Sequence, residues 1–86
     1  MATGQNDFAV TGAWTDLVAT IAAAASTDTL IQNLDTDEVQ IVAGGASAPT
    51  GKSGVVLREG ESVTLNAANL WLRARGGAAT VSVTTL

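Results

Sequence analysis

The chain has 86 residues, a formal net charge of −4 and an apolar fraction of 47%, a length that fits one domain. With no Cys, His or Tyr, it has no Ser-His or Cys-His nucleophile pair, no disulfide and no zinc site of the usual kind. The acidic balance argues against nucleic acid as a partner, because that needs a basic surface. No apolar run approaches the roughly 18 residues of a membrane span.

Sixteen of the 40 apolar residues are Ala, leaving 24 larger ones to fill a core. Chains this lean usually recruit disulfides, a metal or a partner subunit. Without Cys or His, association with copies of itself or docking on a larger body remains, and no cofactor is expected. The first ten residues, MATGQNDFAV, lack the charged and apolar regions of a signal peptide. The absence of Cys fits assembly in a reducing cytoplasm.

Abundant Thr, Val and Gly, with turn signals about every ten residues, predict an all-β fold. The expected form is a small antiparallel β-sandwich or barrel of about seven short strands. Residues 1–7 read as a flexible N-terminal arm and 8–86 as a single β domain. The first strand is expected at 8–11, ending at Gly12. From Trp14 to Ser26 the spacing of Leu17 with Ile21 and of Val18 with Ala22 is helical, with Thr15 or Asp16 as N-cap. This predicts one short helical segment near residues 15–25, crossing one end of the sandwich.

Beyond it the period becomes two. Strands are expected at 28–34, 38–43, 54–58, 62–66, 70–75 and 79–85. Asp35-Thr36-Asp37 and Glu59-Gly60-Glu61 supply turns, because Asp side chains bond nearby backbone and Gly accepts unusual dihedrals. The glycine-rich run Gly44 to Gly54, which holds the only Pro, reads as a long mobile loop. Trp14, Leu30, Leu34, Ile41, Leu57, Leu65, Leu72, Val81 and Val83 are the expected core.

Three motifs invite a chemical reading, and each is better explained as structure. Gly51-Lys52-Ser53 looks like part of a phosphate loop, but Ala46 stands where the first Gly belongs and a strand follows instead of a helix. Asp35, Asp37 and Glu38 offer oxygen ligands, yet Val39 and Gln40 occupy the positions a calcium loop reserves for Asp or Asn and Gly. Glu59 and Glu61 flank a Gly in a tight turn, without the aromatics that a glycosidase pair would need for sugar stacking. Trp71, Arg73 and Arg75 differ, because strand alternation puts them on one face, opposite Leu70, Leu72 and Ala74. Trp and Arg are enriched at interface hot spots. An outer face on which these arginines pair with Glu59 or Glu61 explains the pattern equally well. Trp71, Arg73, Arg75, Arg58 and Phe8 are the candidate partner-contact residues; no catalytic, cofactor or metal residue is expected.

Several short blocks carry a resemblance: Ala13-Trp14-Thr15-Asp16-Leu17, Ile31-Gln32-Asn33, Ala46-Ser47-Ala48-Pro49, Leu57 to Ser62 and Leu70 to Arg75. In order and spacing they resemble small bacteriophage virion accessory proteins over most of residues 13–83; Ala22–Ala25 departs from that pattern. The resemblance implies a β-sandwich capsid decoration or cement protein that is not an enzyme and self-associates, commonly as a homotrimer. It also implies docking on the major capsid protein at the virion capsid surface, after assembly in the host cytoplasm; the charge balance and the lack of a long apolar run argue against nucleic-acid and membrane partners. A tail, baseplate or fibre-associated module contacting a host receptor or glycan is the alternative.

Overall fold

The structure is a computed structural model and describes residues 4–45, 47, 49 and 54–86. Among the described residues eight strands form: β1 (Gly4–Thr11), β2 (Thr15–Asp16), β3 (Thr29–Asn33), β4 (Val39–Gly44), β5 (Val55–Leu57), β6 (Ser62–Leu65), β7 (Asn69–Ala74) and β8 (Ala78–Thr85). One helical turn, α1 (Leu17–Thr20), and a 3-10 turn over Ala22–Ala24 cross one end. All seven expected strands are present. The eighth, β2, is two residues long and sits inside the stretch whose spacing looked helical throughout. The first strand begins at Gly4, not Phe8, and Gly4 to Asp7 pair with Thr85 to Ser82. Gly4 to Asp7, assigned to an arm, therefore belong to the sheet.

The strands form two antiparallel four-stranded sheets, ordered β1-β8-β3-β6 and β2-β7-β4-β5. The pairs β1·β8, β2·β7, β3·β6 and β4·β5 are nested, as if one long hairpin had been rolled up, while β8·β3 and β7·β4 close the two sheets. This is the strand order of a jelly roll, an arrangement used by viral capsid and lectin domains.

Alternation along each strand sends one set of side chains between the sheets. Phe8, Val10, Ile31, Ala79, Val81 and Val83 enter from one side, and Val39, Ile41, Leu57, Leu70, Leu72 and Ala74 from the other. Leu17 and Ala24, both fully buried, plug one end. Asp16 caps α1, its Oδ1 accepting from the Val18 N–H at 3.0 Å. The exposed surface of 4499 Å² is close to the roughly 4,700 Å² expected of a compact monomer of this size. A lone subunit is thus already well closed, in spite of its Ala-rich composition.

Ile41, Leu57, Leu72, Val81 and Val83 occupy the core as expected, and Leu65 packs against it partly buried. Trp14 and Leu30 are only half-buried, and Leu34 is 47% exposed. The cause is the register of β3. Thr29, Ile31 and Asn33 lie opposite Thr85, Val83 and Val81 of β8 and point inward with them. Leu30 therefore turns outward, and Leu34 lies past the strand end. Asn33 tolerates burial because its amide is occupied: Nδ2 donates to Asp37 O (2.7 Å) and Leu57 O (3.0 Å), and Oδ1 accepts from Asp35 N–H (2.9 Å). It ties the β3–β4 turn to the opposite sheet.

Candidate binding face

The expected alternation of β7 holds: Leu70, Leu72 and Ala74 are buried, while Trp71 and Arg73 point away from the core and are half-buried. The neighbouring strands decide what accompanies them. Gln40 and Val42 of β4 stand opposite Arg73 and Trp71. On the other side, Asp16 of β2 pairs with Trp71, which brings Trp14 alongside Arg73. The Arg73 guanidinium carbon lies 4.9 Å from the centre of the Trp14 ring, within cation–π range. Its Nε donates to Gln40 Oε1 at 2.9 Å.

Glu38, just before β4, gathers the other two arginines. Arg75 Nη1 lies 3.3 Å from Oε1 and Arg58 Nε 3.4 Å from Oε2. The Arg58 and Arg75 side chains are 79% and 51% exposed, so each pair adds little stability, about 0–1 kcal/mol. Trp71 Nε1 donates to Gly45 O (2.9 Å), and Asn69 Nδ2 donates to Asp16 Oδ2 (2.5 Å).

Four of the five candidate contact residues therefore come together: Trp71, Arg73, Arg75 and Arg58 lie on or beside the outer face of β2-β7-β4-β5. Phe8 does not join them. It is 7% exposed and faces Val81 across the β1·β8 ladder, because strand alternation gives it to the core with Val10. The arginines are partnered by Glu38 and not by Glu59 or Glu61. Glu61 Oε1 instead accepts from the Arg58 backbone N–H (2.8 Å) and closes its own turn. Trp14 is the face residue that sequence reasoning assigned to the core. Its signal was the period-two spacing of Trp14 with Asp16, hidden because β2 is so short.

The oxygen-rich turn serves structure. Asp35 Oδ1 accepts from Thr36 N–H (2.9 Å), and Asp37 Oδ2 accepts from Ala78 N–H (3.4 Å). Among the described residues, no three Asp or Glu side chains are grouped to hold a metal ion, and no helix is long and apolar enough to cross a membrane. Gly51-Lys52-Ser53 and most of the expected mobile loop lie outside the described residues. What the face offers is recognition chemistry: two indole rings, aliphatic ground at Val42 and Val56, and planar guanidinium donors.

Comparison with protein-family models, curated proteins and solved structures finds no match.

Proposed function

We propose that the chain is a structural bacteriophage protein, a capsid decoration (cement) protein that docks through the outer face of β2-β7-β4-β5. The observation that carries this reading is the gathering of both tryptophans and three of the four basic residues on one face of an acidic body. Trp and Arg are the side chains that concentrate interface energy. The jelly-roll strand order supports the reading by analogy of fold, since viral capsid domains use it, and so does the order of the sequence blocks.

The mechanism is mass action. A subunit that binds only the assembled lattice stabilises it by the free energy of that binding. Association into a homotrimer multiplies weak contacts by raising the effective concentration of each. Because the subunit closes its own core, trimer formation in this reading serves avidity, not folding.

The test is co-sedimentation of purified protein with expanded capsids of the encoding phage, with sedimentation analysis of the free protein. Hundreds of copies per particle are expected, and Arg73→Ala with Arg75→Ala should weaken capture at least tenfold while leaving the far-UV spectrum unchanged. A stable monomer that does not add to capsids overturns the reading. Trp14 and Trp71 on one face also favour a tail-associated glycan-binding module; a dozen or fewer copies per virion would select that alternative.

A further inference from the structure

Where β7 turns into β8, a cleft of about 340 Å³ is lined by Gly12, Arg73, Ala74, Arg75, Gly76 and Gly77. Three of its six lining residues are Gly, and two of these positions disfavour a side chain. A side chain at Gly76 would collide with the Asp37 carboxylate, and Gly77 has φ of +112°. The two arginines at the cleft differ in their charge balance. Arg75 shares Glu38 with Arg58. Arg73 has only neutral partners, the Gln40 amide at Nε and the Trp14 ring, and no carboxylate among the described residues lies within ion-pair reach of it.

Arg73 is thus held from two sides, with its two terminal amino groups unengaged among the described residues. A guanidinium fixed in this way presents the planar fork that matches a carboxylate in bidentate geometry. Most of the side-chain entropy that binding would cost has already been lost in folding.

We propose that this cleft binds a carboxylate, the Asp or Glu side chain of a partner protein. Charge argues for a carboxylate over a phosphate. Asp37 and Glu38 stand nearby, the chain carries a net charge of −4, and a dianion would be repelled more than a monoanion. The identity of the partner as the capsid lattice rests on the function proposed above; the carboxylate site itself does not.

The test is a two-dimensional NMR titration of the full chain with N-acetyl-glutamate amide, its glutamine counterpart and inorganic phosphate. Saturable shifts of the Arg73 Nε–H and of the Gly12, Gly76 and Gly77 amides are expected with the glutamate probe. Affinity should be at least tenfold weaker for the glutamine probe and weaker for phosphate. Arg73→Gln should abolish the shifts, Arg73→Lys should weaken them several-fold, and Thr64→Ala, on β6 of the other sheet, should leave them in place. Unchanged Val81 and Val83 methyl signals would verify that each variant is folded.

Shifts spread over the whole surface, shifts surviving in Arg73→Gln, or stronger binding of phosphate would overturn the site. Capsids that capture Arg73→Gln as well as the parent, with no glutamate shifts, would remove the site and leave the docking function standing. Glutamate binding at the cleft without capsid capture would keep the site and remove the capsid partner.

Discussion

Asn33→Asp exchanges one atom group at a fully buried position and turns a donor into an acceptor. In the parent protein Nδ2 is shared between the Asp37 and Leu57 carbonyls at 2.7 and 3.0 Å. In the variant a carboxylate oxygen would face both carbonyl oxygens. Two hydrogen bonds at roughly 0.5–1.5 kcal/mol each are lost, and a buried charge without a partner raises the total to about 3–5 kcal/mol at pH 7. That is a large part of the roughly 5–15 kcal/mol available to a small domain. Desolvation and the facing carbonyls hold the new carboxyl above its ordinary range in the folded state. The folded variant then binds more protons than the unfolded chain once pH exceeds the ordinary carboxyl value of about 3.9. Stability relative to the parent should be highest below that pH and fall as pH rises towards the folded-state value. Urea unfolding followed by tryptophan fluorescence at several pH values measures this. Asn33→Ala, which loses these two bonds and the Asp35 N–H bond without adding a charge, should show a gap independent of pH. A loss below about 1 kcal/mol at pH 7, or a gap that does not vary with pH, would refute the assigned hydrogen bonds.

Leu72→Ala should cost about 2–5 kcal/mol, the cavity penalty for a fully buried Leu, whereas Leu34→Ala, at a position 47% exposed, should stay within about 0.5 kcal/mol; equal losses in urea unfolding would mean that β3 is shifted by one residue. Gly60 has φ of +82° with open space around it, so Gly60→Ala should cost only the left-handed strain of about 1–2 kcal/mol. Gly54→Ala should cost clearly more by thermal unfolding, because φ is +125° and the added Cβ would lie 2.5 Å from the Ile41 carbonyl oxygen.

Alternation within a strand is written in consecutive residues, so the sequence alone located seven of the eight described strands and determined how β7 is oriented. Leu70, Leu72 and Ala74 can bury together only if Trp71 and Arg73 face the other way. The same local logic located the turns at Asp35–Asp37 and Glu59–Glu61, whose side chains bond backbone within a few residues. β3 shows where that logic stops. Its residues Thr29 to Leu34 alternate equally well in either phase, and two leucines made the wrong phase look more apolar. Pairing with Val81 and Val83 of β8, some fifty residues away in the chain, and the three hydrogen bonds of Asn33 chose the other phase.

The binding face divides along the same line. Its β7 members were legible in the sequence. The arrival of Trp14 beside Arg73, the sharing of Glu38 by Arg58 and Arg75, and the removal of Phe8 to the core all depend on which strand lies next to which. Nested pairing of β1 with β8 and β2 with β7 brings the two ends of the chain together. Such contacts join residues distant in the chain, and their geometry follows from the sheet register, which no local spacing encodes. Tertiary structure alone therefore decided the charge balance at Arg73, because its neutral partners Gln40 and Trp14 come from two other strands.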